Sequence, residues 1–130
     1  EDRTVFFATD LGVLPQELLE KMAGSDLVVL ESNHDVSMLQ NGPYPYPLKK
    51  RILSDVGHLS NEHCARALPF LVEQGTTRIV LAHLSEENNL PELARETAQC
   101  SLSMAGCRAG SDFALYVAAP EHAAGQSILL

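Results

Sequence analysis

The chain has 130 residues, 45% of them hydrophobic, and a formal net charge of -8. Those values suit one packed domain, and they argue against a surface that grips nucleic acid by overall charge, because phosphate binding draws on clustered Lys and Arg. No apolar run nears the roughly 18 residues of a membrane-spanning helix, and the opening Glu1-Asp2-Arg3 lacks the basic-then-apolar order of a secretory signal.

The first element expected is a strand from Val5 to Ala8, an apolar run three residues from the start that reads as a cut through a larger fold. A helix follows, with Pro15 where a first-turn proline is tolerated, Leu18, Leu19 and Met22 on its apolar side, and Gly24 as its stop. Leu27 to Leu30 is a second strand. Asn41-Gly42-Pro43-Tyr44-Pro45-Tyr46-Pro47 is expected to be a rigid loop displaying two tyrosines, since three prolines remove donors and fix φ. Ser60 to Gln74 places Cys64, Ala67, Leu68 and Leu71 on one helical face, with Ser60 or Asn61 as N-cap and Gly75 as terminator. Arg78 to Ala82 is the third strand. A helix from about Asn89-Leu90-Pro91 carries Leu93, Ala94 and Ala98 towards Gly106, and Phe113 to Ala118 is the fourth strand. The four runs look like strands covered on both faces, and the alternation predicts an α/β layered domain with its chemistry beyond the carboxyl ends of the strands. Residues 120–130 read as a tail, and His122 in it, like His63, is assigned no role.

Three strand exits carry polar residues of the kind a site uses. Asp10 follows the first strand, and a carboxylate there suits a hard or borderline divalent metal. The second strand delivers Glu31-Ser32-Asn33-His34-Asp35, five polar residues in a row, of which Asn33, His34 and Asp35 are candidate site-lining residues. His83 follows the third strand, where its imidazole can share a metal with Asp10. His58 lies beside Gly57 just before the helix that opens near Ser60, another site-lining candidate, and can move a proton or touch an anionic oxygen. Each has a plainer alternative: Asp10 as a turn residue, His83 as a core histidine bonded to a carbonyl, Glu31 as a helix cap or partner of Arg51. Three strand exits bearing Asp, Glu and His favour the site. The three cysteines, Cys64, Cys100 and Cys107, contain no C-x-x-C pair, so neither a disulfide framework nor a thiolate zinc knuckle is expected, and a reducing cytoplasm fits best.

Four strings carry a family resemblance: Ala8-Thr9-Asp10-Leu11-Gly12, Leu30-Glu31-Ser32-Asn33-His34-Asp35, Leu53-Ser54-Asp55-Val56-Gly57-His58-Leu59-Ser60-Asn61, and Leu81-Ala82-His83-Leu84-Ser85-Glu86-Glu87-Asn88-Asn89. Through them the chain resembles the C-terminal half of a metallo-β-lactamase-fold hydrolase of the bacterial YycJ/WalJ-like branch. The resemblance implies half of a four-layer αββα sandwich over residues 1–119, and a centre of two divalent metal ions, zinc or manganese, with iron also admitted. It implies that Asp10 bridges the metals, that His83 is the last histidine ligand, and that Glu31 orients His58 as the catalytic proton carrier. The family's His-x-His-x-Asp-His motif is absent from these residues, so a further N-terminal half is the implied partner and the fragment alone is expected to be inactive. The implied substrate is a phosphodiester, with DNA and exonuclease action foremost; the acidic composition stands against it unless the metals or the other half dominate the local field. The alternatives are a thioester or lactone hydrolase on the same fold and a metal-free α/β interaction domain.

Overall fold

The computed structural model describes residues 3–118. Four strands, β1 (Val5–Ala8), β2 (Leu27–Glu31), β3 (Arg78–Ala82) and β4 (Ala114–Val117), form one sheet in the order β1-β2-β3-β4 with every neighbouring pair parallel. The first connection is α1 (Gln16–Met22), the second holds α2 (Val36–Asn41), α3 (Tyr46–Ile52) and α4 (Asn61–Glu73), and the third is α5 (Pro91–Met104). All four expected strands form, within a residue or two of their expected ends. The tail from residue 120 and His122 lie outside the described residues.

Parallel strands in sequential order need right-handed crossovers, and crossovers of one hand in one direction bring their helices to the same side. The core shows this. Phe6, Val28, Ile79 and Leu115 are in register across the sheet, as are Ala8, Leu30, Leu81 and Val117, and both rows pack on Met22, on Cys64, Leu68 and Leu71 of α4, and on Ala94, Ala98 and Leu102 of α5. The Ser101 hydroxyl donates to the Ala65 carbonyl (2.8 Å) and ties α5 to α4. Cys64 is fully buried here, and burial pushes its thiol up to about 12, as expected of a core residue.

The expectation that the strands are covered on both faces holds only in part among the described residues. Side chains alternate across a sheet, and in the opposite row Val80 is buried and Val29 and Tyr116 are half-buried, while Phe7 at the edge is open. Phe7 is 70% exposed. The strands nevertheless read as continuous apolar runs because both faces bear apolar residues.

A second correction concerns the proline-rich segment. Pro45 and Pro47 sit at the N-cap and in the first turn of α3, where a proline loses no hydrogen bond, so Tyr46 and Pro47 begin a helix instead of ending a loop. The six-residue α2 before it was not foreseen; Asp35 caps it by accepting from the Met38 N–H (2.9 Å). Ser60 caps α4 through the His63 N–H (3.0 Å), and Gly24, Gly75 and Gly106 follow α1, α4 and α5 with positive φ.

Candidate metal centre

Adjacent parallel strands lie about 4.8 Å apart, so residues at neighbouring strand ends are forced into contact range. Glu31 is the last residue of β2 and pairs in register with Ala82 of β3, whose next residue is His83. Asp10 follows β1 by two residues. Both Asp10 (φ 62°) and His83 (φ 60°) occupy the left-handed region, a conformation costly for residues with a side chain and concentrated at functional sites. They are the only positive-φ residues other than glycine among those described.

His58 arrives from another direction. Asn33 N–H donates to the Leu59 carbonyl (2.9 Å) and Asn61 N–H to the His34 carbonyl (2.7 Å), so the polar segment after β2 runs as a short parallel bridge beside the chain entering α4. His58, one residue before that bridge, is set against the end of β2. Its N–H also donates to the Ile52 carbonyl (3.1 Å). A Cβ on Gly57 would sit 2.2 Å from that same oxygen, and one on Gly12 would sit 2.2 Å from the Ser54 carbonyl. Glycine is needed at both positions for close backbone approach.

The centre of the arrangement is Glu31, which is fully buried. Its Oε1 accepts from the backbone N–H of Asp10 (2.5 Å) and of Leu11 (3.3 Å), and its Oε2 meets Nδ1 of His58 (2.6 Å) and Nδ1 of His83 (3.1 Å). Four donors saturate one carboxylate. That explains how a charged group survives burial, and it assigns the proton on each ring: Nδ1–H faces Glu31, so Nε2 carries the lone pair. Among the described residues neither Nε2 has a hydrogen-bond partner. The rings stand edge to face with centroids 5.4 Å apart, and the Asp10 carboxylate, 71% exposed, comes within 3.6 Å of the His83 ring. Asp10, Glu31, His58 and His83 each offer a ligand atom within 4.8 Å of the others, a group that could hold a metal ion.

Sequence reasoning named all four members of this cluster. Asn33, His34, Asp35 and Ser60 lie behind it. Asn33 donates to the His83 carbonyl (2.9 Å) and holds its odd backbone in place, while Asp35 and Ser60 spend their side chains on helix caps. His34 is buried with Nδ1 on the Asn33 side-chain oxygen (3.1 Å), and burial first, then the neighbouring His58, pushes its pKa down to about 4 despite Asp35. The alternative of a Glu31 to Arg51 pair is not what forms; the buried carboxylate is taken by the two imidazoles.

A layer of buried amides supports these loops and was not foreseen. Ser32 donates to the Asn61 side-chain oxygen (2.6 Å), and the Asn61 and Asn89 amides bond each other (2.8 and 2.9 Å). The Asn89 amide also reaches the carbonyls of Ser32 and Asn33. The available signal was the polar string Ser85 to Asn89 after a buried strand.

Over 123 residues, 95% of its length, the chain is 40% identical to "Exodeoxyribonuclease WalJ" of Streptococcus pneumoniae serotype 2 (strain D39 / NCTC 7466), and equally to the protein of that name from Streptococcus pneumoniae (strain ATCC BAA-255 / R6). It is 40% identical over 120 residues to "Exodeoxyribonuclease YycJ" of Bacillus anthracis. The chain is similar to WalJ and YycJ. The match covers 46% of each of them, so the chain spans about half the length of these curated relatives. No family model matches the chain.

Proposed function

We propose that this chain is the C-terminal half of a metal-dependent deoxyribonuclease of the metallo-β-lactamase fold, in the branch of WalJ and YycJ, acting as an exonuclease on DNA. The observation that carries the reading is the buried Glu31 carboxylate, which engages Nδ1 of two imidazoles and leaves both Nε2 atoms free, with the Asp10 carboxylate 3.6 Å from Nδ1 of His83. This donor set fits a divalent ion, since an imidazole backed by a carboxylate is the usual form of a histidine ligand and Asp with His suits zinc, manganese or iron. Asp10 and His83 would hold the metal. Three protein ligands are the minimum of a typical catalytic site, so two ions would need further ligands, and the half of WalJ and YycJ that this chain does not span would supply them through the His-x-His-x-Asp-His motif. The exposed apolar side chains Val5 and Phe7 on the face away from the helices support that assembly, for a four-layer sandwich needs a second sheet on this face. When bound, divalent ions supply positive charge for phosphoryl oxygens and acidify water.

The chain's own residues do the rest. Glu31 fixes the His58 ring through Nδ1, so that Nε2 is left free to carry a proton to the departing oxygen of a phosphodiester. Asn33 bonds the His83 carbonyl and braces its left-handed backbone. The test is hydrolysis by the intact protein of end-labelled DNA beside thioester and lactone substrates, with and without added divalent ion. His58→Ala is expected to lower the DNA rate by about two to four orders of magnitude while metal content stays unchanged. Thioester turnover without DNA turnover would replace this reading, and loss of metal in the variant would make His58 a ligand.

A further inference from the structure

The segment that borders the cluster on its open side is α3, and its chemistry is unlike the rest of the chain. Of nine Lys and Arg residues in a chain of net charge -8, three are consecutive at Lys49, Lys50 and Arg51. All three lie in the last turn of α3, which contains no acidic residue. Lys49 is occupied, its Nζ donating to the Gln40 carbonyl (2.8 Å). Lys50 and Arg51 are exposed and pair with no carboxylate among the described residues.

Their placement is directional. Arg51 lines one depression with Asp10, Gly57 and His58, so it borders the cluster itself. Lys50 shares a second groove with Gln40, Tyr46, Lys49, Leu53 and Ser54, and this one has no acid. Tyr46 and Lys50 are four residues apart and occupy one face of the helix, and Tyr46 is 74% exposed. Cations in a final turn also complement the helix dipole, but that does not account for an aromatic ring left in water at the other end of the same helix. From Tyr46 to Arg51 the helix rises about 7.5 Å.

We propose that α3 is the strand-binding surface of this site: Arg51 and Lys50 take successive phosphates of a single DNA strand leading to the cluster, and Tyr46 stacks on an unpaired base. The proposal rests on the nuclease reading for its substrate and extends it to named contacts. It also removes the difficulty of net charge, because counter-ion release depends on the cations that touch phosphate and not on the total. Stacking on an exposed aromatic is tolerant of sequence, as an exonuclease requires.

The experiment measures binding of a fluorescein-labelled single-stranded thymidine 20-mer to the intact protein by anisotropy, in EDTA over a range of NaCl, together with DNA hydrolysis in manganese. For Lys50→Ala/Arg51→Ala the slope of log K against log salt is expected to shrink by about 1.4, from about 0.7 per phosphate contact on a single strand, and KM to rise. Tyr46→Ala is expected to weaken binding by about 5- to 160-fold, the range for one stacked base, without changing the slope. Lys50→Arg should keep the wild-type slope, and Lys21→Ala, in the last turn of α1, should change neither quantity. An unchanged slope and KM in the double variant overturn the proposal, as does a lowered melting temperature with binding intact, which would mark α3 as an internal contact surface. If wild type binds the strand through α3 yet hydrolyses no DNA with any divalent ion, the strand-binding proposal stands and the nuclease reading falls.

Discussion

Replacing Glu31 by Gln keeps the shape of the side chain and removes one acceptor and one charge. The native carboxylate serves four donors, two backbone N–H groups through Oε1 and two imidazole Nδ1–H groups through Oε2. A glutamine has one oxygen, and turning it to Asp10 and Leu11 leaves its NH2 facing both rings. Each neutral ring can then satisfy the contact only by moving its proton to Nε2, which destroys the lone pair available to a metal. Hydrogen bonds to a charged group are worth about 1.5–3 kcal/mol each, and loss of a carboxylate behind a histidine ligand costs about 10–100-fold in metal affinity. Titration calorimetry with zinc or manganese on the intact protein should therefore show a loss of that size. Nitrogen NMR of the histidines should show His58 and His83 changed from Nδ1–H to Nε2–H. Affinity within about twofold of wild type, with Nδ1–H retained on both rings, would refute the role given to Glu31.

Two further perturbations probe the scaffold. Gly57→Ala drives a methyl into the Ile52 carbonyl at 2.2 Å; overpacking of this kind costs about 1–3 kcal/mol, and denaturant unfolding should show it together with displacement of His58, whereas unaltered stability would mean that the turn relaxes freely. His34, held neutral by burial with its pKa lowered from 6.5 to about 4, must bind a proton more readily unfolded than folded. Its contribution is present in full above about pH 6.5 and is lost as pH falls towards 4, so the melting temperature of wild type should fall across that window more steeply than that of His34→Gln, and parallel curves would contradict the assignment.

The strands were legible because apolar runs of four to six residues bounded by polar or glycine residues leave few other conformations, and the three strand-exit residues were legible because parallel strands bring consecutive exits together. His58 was named on the strength of its glycine and a family resemblance; what places it is the 33–34 to 59–61 bridge, a long-range pairing that no local pattern announces. The exposed end of one sheet face was hidden for a different reason: Val5 and Phe7 have the composition of buried strand residues whether or not anything lies over them. Tyr46 and Pro47 looked like loop because proline was weighed as a breaker, although its position at N-cap and first turn makes it a helix starter. Asp35 and Ser60 have the residue types of site-lining groups and of caps alike, and only coordinates separate the two uses.

The account stands on Asp10 and His83 sharing one divalent ion in front of Glu31. Diffraction at the zinc absorption edge from zinc-soaked crystals of the intact protein tests it directly: an anomalous peak about 2.0–2.2 Å from both the Asp10 carboxylate and His83 Nε2 is the expected result. A fully occupied peak elsewhere, with the His83 ring unliganded in enzymatically active crystals, would contradict it.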